Sequence, residues 1–461
     1  MHRFLITIFI CAAAGVMAQL RLPSVISSGM VVQQNTTTTL FGWGNPGARV
    51  LIQASWSNKT DTAKISNLAT WRIKINTPPA GGPHTITLSS GYEKIVLNDI
   101  LSGEVWLCSG QSNMEWSYRQ GLKDIRDELP VAYNRSIRLF HIPKTGSDLI
   151  KDDVQASWKI CDSVSLKDFS AVGYFFGKRL QQSLNVPIGL IDASWGGTPA
   201  EVWVPEEVIN QNAVLRQAAS QLGAFDWWPS LPGKAYNAMI APVHNHQIAG
   251  AIWYQGESNV GTYATYRDLM KTLIDSWRSK WANAFPFYMV QIAPFEYDAK
   301  LSAARLREAQ DQLQSHPSTG MVVVSDLVDN VKDIHPINKH DVGLRLANLA
   351  LGDHYKIGSG NFRSPVFLKM ERAGSKLVLH LTNANALVTK GSEAVGFTIS
   401  GADKKWLPAK VKIDGNRLVV WNAALKNPEQ VRFSFDNTTI GNIFSETGLP
   451  LAPFRTDRWE P

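Results

Sequence analysis

Cysteine is scarce in this chain, with three in 461 residues, at positions 11, 108 and 161. That is too few for a disulfide framework, so an apolar core must hold the fold. Cys108 and Cys161 could still pair in an oxidising compartment. No Cys/His cluster has zinc spacing. His244 and His246 could share one face of a strand, but no third ligand lies nearby in sequence. Charge is thin too. Lys+Arg 46 against Asp+Glu 39 leaves a net +7, or +6 without Arg3. No basic run stands out, which argues against a nucleic-acid partner. Internal repeats, low-complexity tracts and a long flexible linker are also missing.

Residues 1–18 carry Arg3, an apolar run from Phe4 to Ala14 and a small-residue exit at Val16-Met17-Ala18. This is the grammar of a secretory signal cleaved before Gln19. The run is too short to span a bilayer stably, and bulky Ile10 ahead of Cys11 argues against lipidation. The expectation is an exported chain, periplasmic or secreted, without a membrane anchor.

Three textures follow. Residues 19–100 hold short alternating segments such as Arg49-Val-Leu-Ile-Gln-Ala and Trp71-Arg-Ile-Lys-Ile, separated by Gly/Pro/Asn turns. They predict an N-terminal β-sandwich. Residues 101–355 alternate strand-like runs (104–108, 136–142, 187–193, 248–254, 286–292, 320–325) with amphipathic helices (171–184, 263–281, 301–315, 340–352). That predicts an α/β domain with a parallel sheet. Residues 356–461 return to β texture, as in Lys376-Leu-Val-Leu-His-Leu and Arg417-Leu-Val-Val-Trp.

Four segments fall at predicted strand ends of the middle region, where α/β folds place their ligands. After Val105-Trp-Leu-Cys108 the chain reads Ser109-Gly-Gln-Ser-Asn-Met114. A glycine-bearing turn there would lift the Ser112 hydroxyl above the sheet edge; a serine capping a short helix is the plainer use. After Ile188–Ala193 comes Ser194-Trp-Gly-Gly-Thr198, whose paired glycines would let backbone N–H groups approach a ligand or simply form a turn. After Ala249–Tyr254 comes Gln255-Gly-Glu-Ser-Asn259, where an amide could meet a developing oxyanion or simply cap a turn. Last comes Asp333-Ile-His-Pro336. Proline keeps His335 extended, and residues i and i+2 of an extended segment face the same way. Asp333 would then lie beside the His335 ring, placed to orient it; a surface Asp-x-His ahead of a helix is the plainer reading.

These four blocks, in this order, resemble the SGNH hydrolases. The resemblance is greatest to the branch of the sialate O-acetylesterases and related carbohydrate acetylesterases. Ser28-Gly-Met-Val-Val-Gln-Gln34, Tyr236-Asn-Ala-Met-Ile-Ala-Pro242 and Gly448-Leu-Pro-Leu-Ala-Pro-Phe-Arg-Thr-Asp457 resemble it as well, so the likeness covers nearly the whole chain after residue 18. It implies a three-layer α/β/α domain flanked by N- and C-terminal β domains. It also implies Ser112 as nucleophile, His335 as general base and Asp333 as orienting acid. The oxyanion hole would comprise the N–H of Ser112, that of Gly196 or Gly197, and the Asn259 amide. The wider pattern has two residues between acid and histidine, whereas only Ile334 intervenes here. Asp326 or Asp329 could therefore take the acid's place.

The implied reaction is acetyl-ester hydrolysis on a sugar, with no metal or organic cofactor and an O-acetylated carbohydrate as partner. The first alternative is a different carrier, such as acetylated xylan. The second, of another class, is a non-catalytic glycan-binding protein, against which the intact Ser/Asn/His set argues. Trp116, Trp195, Trp203 and Trp253 lie near the blocks, and one or two of them are expected to line a sugar pocket. Arg119 and Arg267 are candidates for meeting a sialic acid carboxylate. Nothing in the residues fixes the oligomeric state.

Overall fold

The computed structural model describes residues 19–358 and 362–459. The expected signal, residues 1–18, lies outside the described residues.

One strand organises the chain. Glu93–Gly110 starts in the N-terminal β region, paired antiparallel with Gly81–Ser90 and parallel with Val31–Gln33. It runs past residue 100 without a break and becomes the middle strand of a second sheet. Across that sheet the order is Thr319–Val322, Phe287–Val290, Gly250–Tyr254, Glu93–Gly110, Ile188–Ser194, Asn134–His141 and Trp158–Cys161. All pairings there are parallel except the last. The antiparallel edge strand Trp158–Cys161 carried no clear sequence signal, being only four residues long.

Side chains alternate across this sheet because strand residues point to opposite faces. Val105 and Leu107 enter one core, with the helices Tyr263–Trp281 and Ser302–Gln312. Trp106 and Cys108 enter the other, with Ala171–Leu184 and Lys339–Asp353. Both faces are covered, giving three α/β/α layers; this is why the strands read as continuous apolar runs. The C-terminal part forms separate antiparallel sheets around a core of its own that includes Leu379, Ile399 and Phe433. No described helix is long and apolar enough to cross a membrane.

Cys108 and Cys161 are both buried and free, so the expected option of a disulfide between them is not realised. The His244–His246 pair does structural work. His246 is buried, bonds the Val31 carbonyl at 2.8 Å, and burial pulls its pKa down to about 4.

Glu104 ties the N-terminal region to the central layer. Its buried carboxylate accepts hydrogen bonds from Gln33 Nε2 (3.0 Å), Gln34 Nε2 (2.7 Å) and Tyr355 Oη (2.8 Å). Glu104→Ala removes the acceptor from three donors at once. A loss on the order of 3 kcal/mol is expected in denaturant unfolding, typical for stranded buried polar groups. A change under ~0.5 kcal/mol would mean that water replaces the carboxylate freely.

Candidate active site

The long strand ends at Gly110, which pairs with Ser194 on one side and Tyr254 on the other. Its φ of 137° suits glycine, and a Cβ there would run into the Tyr254 carbonyl. The turn is then fixed from both neighbours. Gln111 N–H donates to the Tyr254 carbonyl and Trp195 N–H to that of Gly110, each at 3.0 Å. Gln111 is extended and the chain coils into the one-turn helix Ser112–Glu115. Three strand ends and the residues after them are thereby held side by side.

Ser112 and His335, 223 residues apart in sequence, meet here with Oγ 2.8 Å from Nε2. Trp116 stacks on the imidazole, with centroids 4.3 Å apart and planes at 20°. Asp333 lies near the ring but does not bond it. Its Oδ1 is 3.8 Å from Nδ1, beyond hydrogen-bond range, and instead accepts the backbone N–H of His335 at 2.9 Å. The expected carboxylate–imidazole hydrogen bond is thus replaced by a local turn. Asp326 is taken up by a bidentate pair with Arg345, both contacts at 2.7 Å. Asp329 is exposed and has no hydrogen bond to His335 among the described residues.

Beneath the histidine lies a buried polar chain. Lys339 Nζ donates to Asn113 Oδ1 (2.6 Å); Asn113 Nδ2 donates to Glu257 Oε1 (2.6 Å) and to the Ile334 carbonyl (3.1 Å). The last contact pins the histidine loop to the residue after Ser112. Burial lowers the Lys339 pKa to about 7 and raises that of Glu257. The His335 pKa is held below its ordinary value, first by burial and then by the Lys339 charge, with Asp333 opposing. Asn113 and Glu257 sit inside blocks noticed in the sequence, yet their partners were not visible there. Lys339 had only one signal, its place four residues after His335 at the start of a helix.

The Gly196 N–H donates to the Glu115 carboxylate, whose other oxygen accepts from Lys144 Nζ at 2.8 Å. The N–H groups of Ser112 and Gly197 have no hydrogen-bond partner among the described residues. Asn259 departs from expectation. It is completely buried and both N–H bonds of its amide are used, donating to Glu201 (2.9 Å) and Thr262 (3.1 Å). Its Oδ1 accepts from Ala200 N (2.9 Å) and Gln255 Nε2 (2.7 Å). An amide satisfied on both sides is a brace for the block, and no N–H is left over for an oxyanion.

Of the four tryptophans near the blocks, Trp203 and Trp253 are core residues. Trp116 backs His335, while Trp195 donates from Nε1 to the Trp227 carbonyl at 3.2 Å. Arg119 is paired with Asp168 at 2.5 Å and Arg267 with its neighbour Asp268 at 3.0 Å. Arg119, Lys144, His141 and Glu115 line a cavity of about 960 Å³.

The family described as carbohydrate esterase, sialic acid-specific acetylesterase, matches residues 102–351. The human sialate O-acetylesterase is 30% identical over 437 residues, covering 85% of this chain and 82% of its own. The Mus musculus sialate O-acetylesterase is 28% identical over 482 residues, covering 90% and 89%. Among solved structures, a carbohydrate acetylesterase from Xanthomonas citri superposes with a TM-score of 0.86 at 34% identity. That match covers 95% of this chain and 100% of the other.

Asn259→Ala is expected to cost roughly 1–3 kcal/mol in thermal or denaturant unfolding, because buried Glu201 loses its donor. Unchanged stability together with a drop confined to kcat would return Asn259 to the oxyanion role.

Proposed function

The chain belongs to the sialic acid-specific acetylesterase family of carbohydrate esterases, and we propose that it cleaves O-acetyl groups from sialic acids through a serine acyl-enzyme. At the level of reaction and substrate class it is a carbohydrate O-acetylesterase, a carboxylic-ester hydrolase. The observation that carries the serine mechanism is the 2.8 Å contact between Ser112 Oγ and His335 Nε2.

In the reaction we infer, neutral His335 takes the Ser112 proton as Oγ attacks the acetyl carbonyl. The tetrahedral oxyanion is met by the N–H groups of Ser112 and Gly196, with Gly197 adjacent. The sugar oxygen leaves with the proton from His335, and a water activated by the same ring then releases acetate. In the free enzyme the Gly196 N–H faces Glu115, so the substrate oxygen takes over a position that already favours negative charge. Asp333 acts by its charge near the imidazolium and by capping the loop backbone. The steps need no metal or organic cofactor.

The catalytic unit is taken as residues 101–355. Export is inferred from the leader-like residues 1–18. The sialic acid reading is supported by the named relatives and by the cations around the larger cavity. One observation favours a neutral acetylated polysaccharide instead: Arg119 and Lys144 already have acidic partners. Acetate release from O-acetylated sialic acids, acetylated xylo-oligosaccharides and aryl acetates separates the two readings. Turnover only of acetylated xylo-oligosaccharides and aryl acetates would overturn the first.

Ser112→Ala is expected to lower acetate release at least ~10⁴-fold, the scale seen when a nucleophile is removed. Its melting temperature should hold, since the side chain is only partly buried. Retained turnover would refute the serine mechanism.

The pH profile tests the environment of the base. Catalysis requires His335 without its second proton, so kcat/KM falls as pH drops through the His335 pKa. Lys339 is one of the causes holding that pKa down. Lys339→Met should therefore move the acid limb to higher pH. An unmoved limb would show that the Lys339 charge does not reach the ring.

A further inference from the structure

A second cavity, of about 340 Å³, abuts the glycine turn beside the nucleophile. Gly197 and Ser258 form part of its wall and Phe225 and Trp228 another part. It differs in chemistry from the larger cavity. No charged residue lines it, whereas Arg119, Lys144, Asp168 and Glu115 all line the other.

The aromatic wall belongs to a loop that is built onto the active site. The Trp228 ring packs directly on Gly197, where φ is +80° and a Cβ would run into the indole. Phe225 stacks on Trp228 with centroids 4.8 Å apart and planes at 29°. Trp195, in the glycine block itself, holds the loop through the Trp227 carbonyl. Ser258 Oγ braces the turn from the other side by donating to the Gly197 carbonyl at 2.9 Å. Gly196, next in the chain, comes close to Ser112: a Cβ there would lie 3.3 Å from the Ser112 Cβ. The cavity therefore shares its Gly197 wall with the turn that packs against Ser112.

Aromatic faces in this loop remain open. Phe225 is 55% exposed and Trp227 78%. Exposed aromatics beside hydroxyl and amide groups suit a ligand with one apolar face and a polar rim. A pyranose ring has that form, with C–H groups on its face and hydroxyls around its edge. Ser258, Ser230, Thr262 and Gln221 supply uncharged partners for those hydroxyls.

We propose that this cavity is a subsite for a neutral pyranose ring of the glycan that carries the acetylated sugar. The inference rests on the reading of the protein as an esterase acting on carbohydrate-borne acetyl groups. It adds that the enzyme recognises more than the sugar bearing the ester. The charged cavity and the uncharged one divide the substrate between an acidic and a neutral part.

Two measurements test it. In the first, sialyllactose and xylotetraose, both without acetyl groups, are titrated against the full chain by tryptophan fluorescence. Phe225→Ala should weaken binding of at least one about tenfold, the scale of one aromatic contact. Phe225→Tyr should restore it. Phe225 is largely exposed, so the alanine variant keeps the fold. Equal binding by wild type and Phe225→Ala, or no binding of either sugar by wild type, overturns the subsite.

In the second, kcat/KM is compared on O-acetylated sialyllactose and on O-acetylated free sialic acid. The alanine variant should lose about tenfold more on the former; equal losses overturn the proposal. Xylotetraose and its acetylated form take the place of the sialosides if only they are turned over. Sugar binding that depends on Phe225, without acetate release from any acetylated sugar, would refute the esterase reading and leave the subsite standing.

Discussion

Hydrogen bonding of the strand Glu93–Gly110 to both parallel neighbours, up to its last residue, is the constraint on which the site depends. Gly110 sits level with Ser194 and Tyr254. Three chain turns consequently leave the sheet at one height. The backbone there has no room for a Cβ, because the Tyr254 carbonyl occupies that space. A larger residue at 110 would push apart the strands whose ends deliver Ser112, Gly196 and the Gln255–Asn259 block. Ser112 is thus placed by backbone pairing, with side-chain packing following from it.

The polar residues in the motif blocks mostly serve the protein's interior. Asn259, Gln255 and Glu201 satisfy one another under the glycine turn. Asn113, Lys339 and Glu257 do the same under the histidine loop. Burying charge is costly unless it is hydrogen-bonded, and a partly satisfied network costs more than an apolar one. Glu257 Oε2 has no partner among the described residues, so this second network is not fully compensated. Its lasting benefit is geometric. The Asn113 contact to the Ile334 carbonyl makes the position of His335 depend on the turn that carries Ser112, and the two side chains cannot drift independently.

What was legible in the sequence was whatever depends on local pattern. The apolar runs of the middle region became strands within a few residues of their expected ends, and Ser112 and His335 came together. Gly110 and Pro336 gave local instructions that tertiary structure had no reason to override. The destination of a side-chain amide is another matter. Asn259 sits at a strand end, as an oxyanion donor would, but its rotamer is decided by Glu201 and Thr262, which no spacing rule brings near. The i,i+2 geometry did bring Asp333 to the ring's side, yet the backbone N–H of His335 was the nearer donor and captured the carboxylate. The aromatic loop around Phe225 carries no sequence signal, because its residues lie between blocks and show no periodicity.

Glu115 brings these threads together. In the proposed mechanism, the carboxylate oxygen on the Gly196 N–H, close to Ser112, occupies the place where negative charge would develop. Donors fixed by backbone geometry are already oriented before substrate arrives, which is the condition for electrostatic stabilisation without reorganisation. The same carboxylate has a counter-charge in Lys144, which also lines the larger cavity. An ester carbonyl carries less charge than a carboxylate and competes poorly for that N–H in the ground state. As the tetrahedral intermediate forms, its oxygen gains a full charge and the balance shifts toward it. Displacing Glu115 adds no rate by itself; what would accelerate the chemical step is that the Gly196 N–H binds the charged intermediate more strongly than the neutral ester.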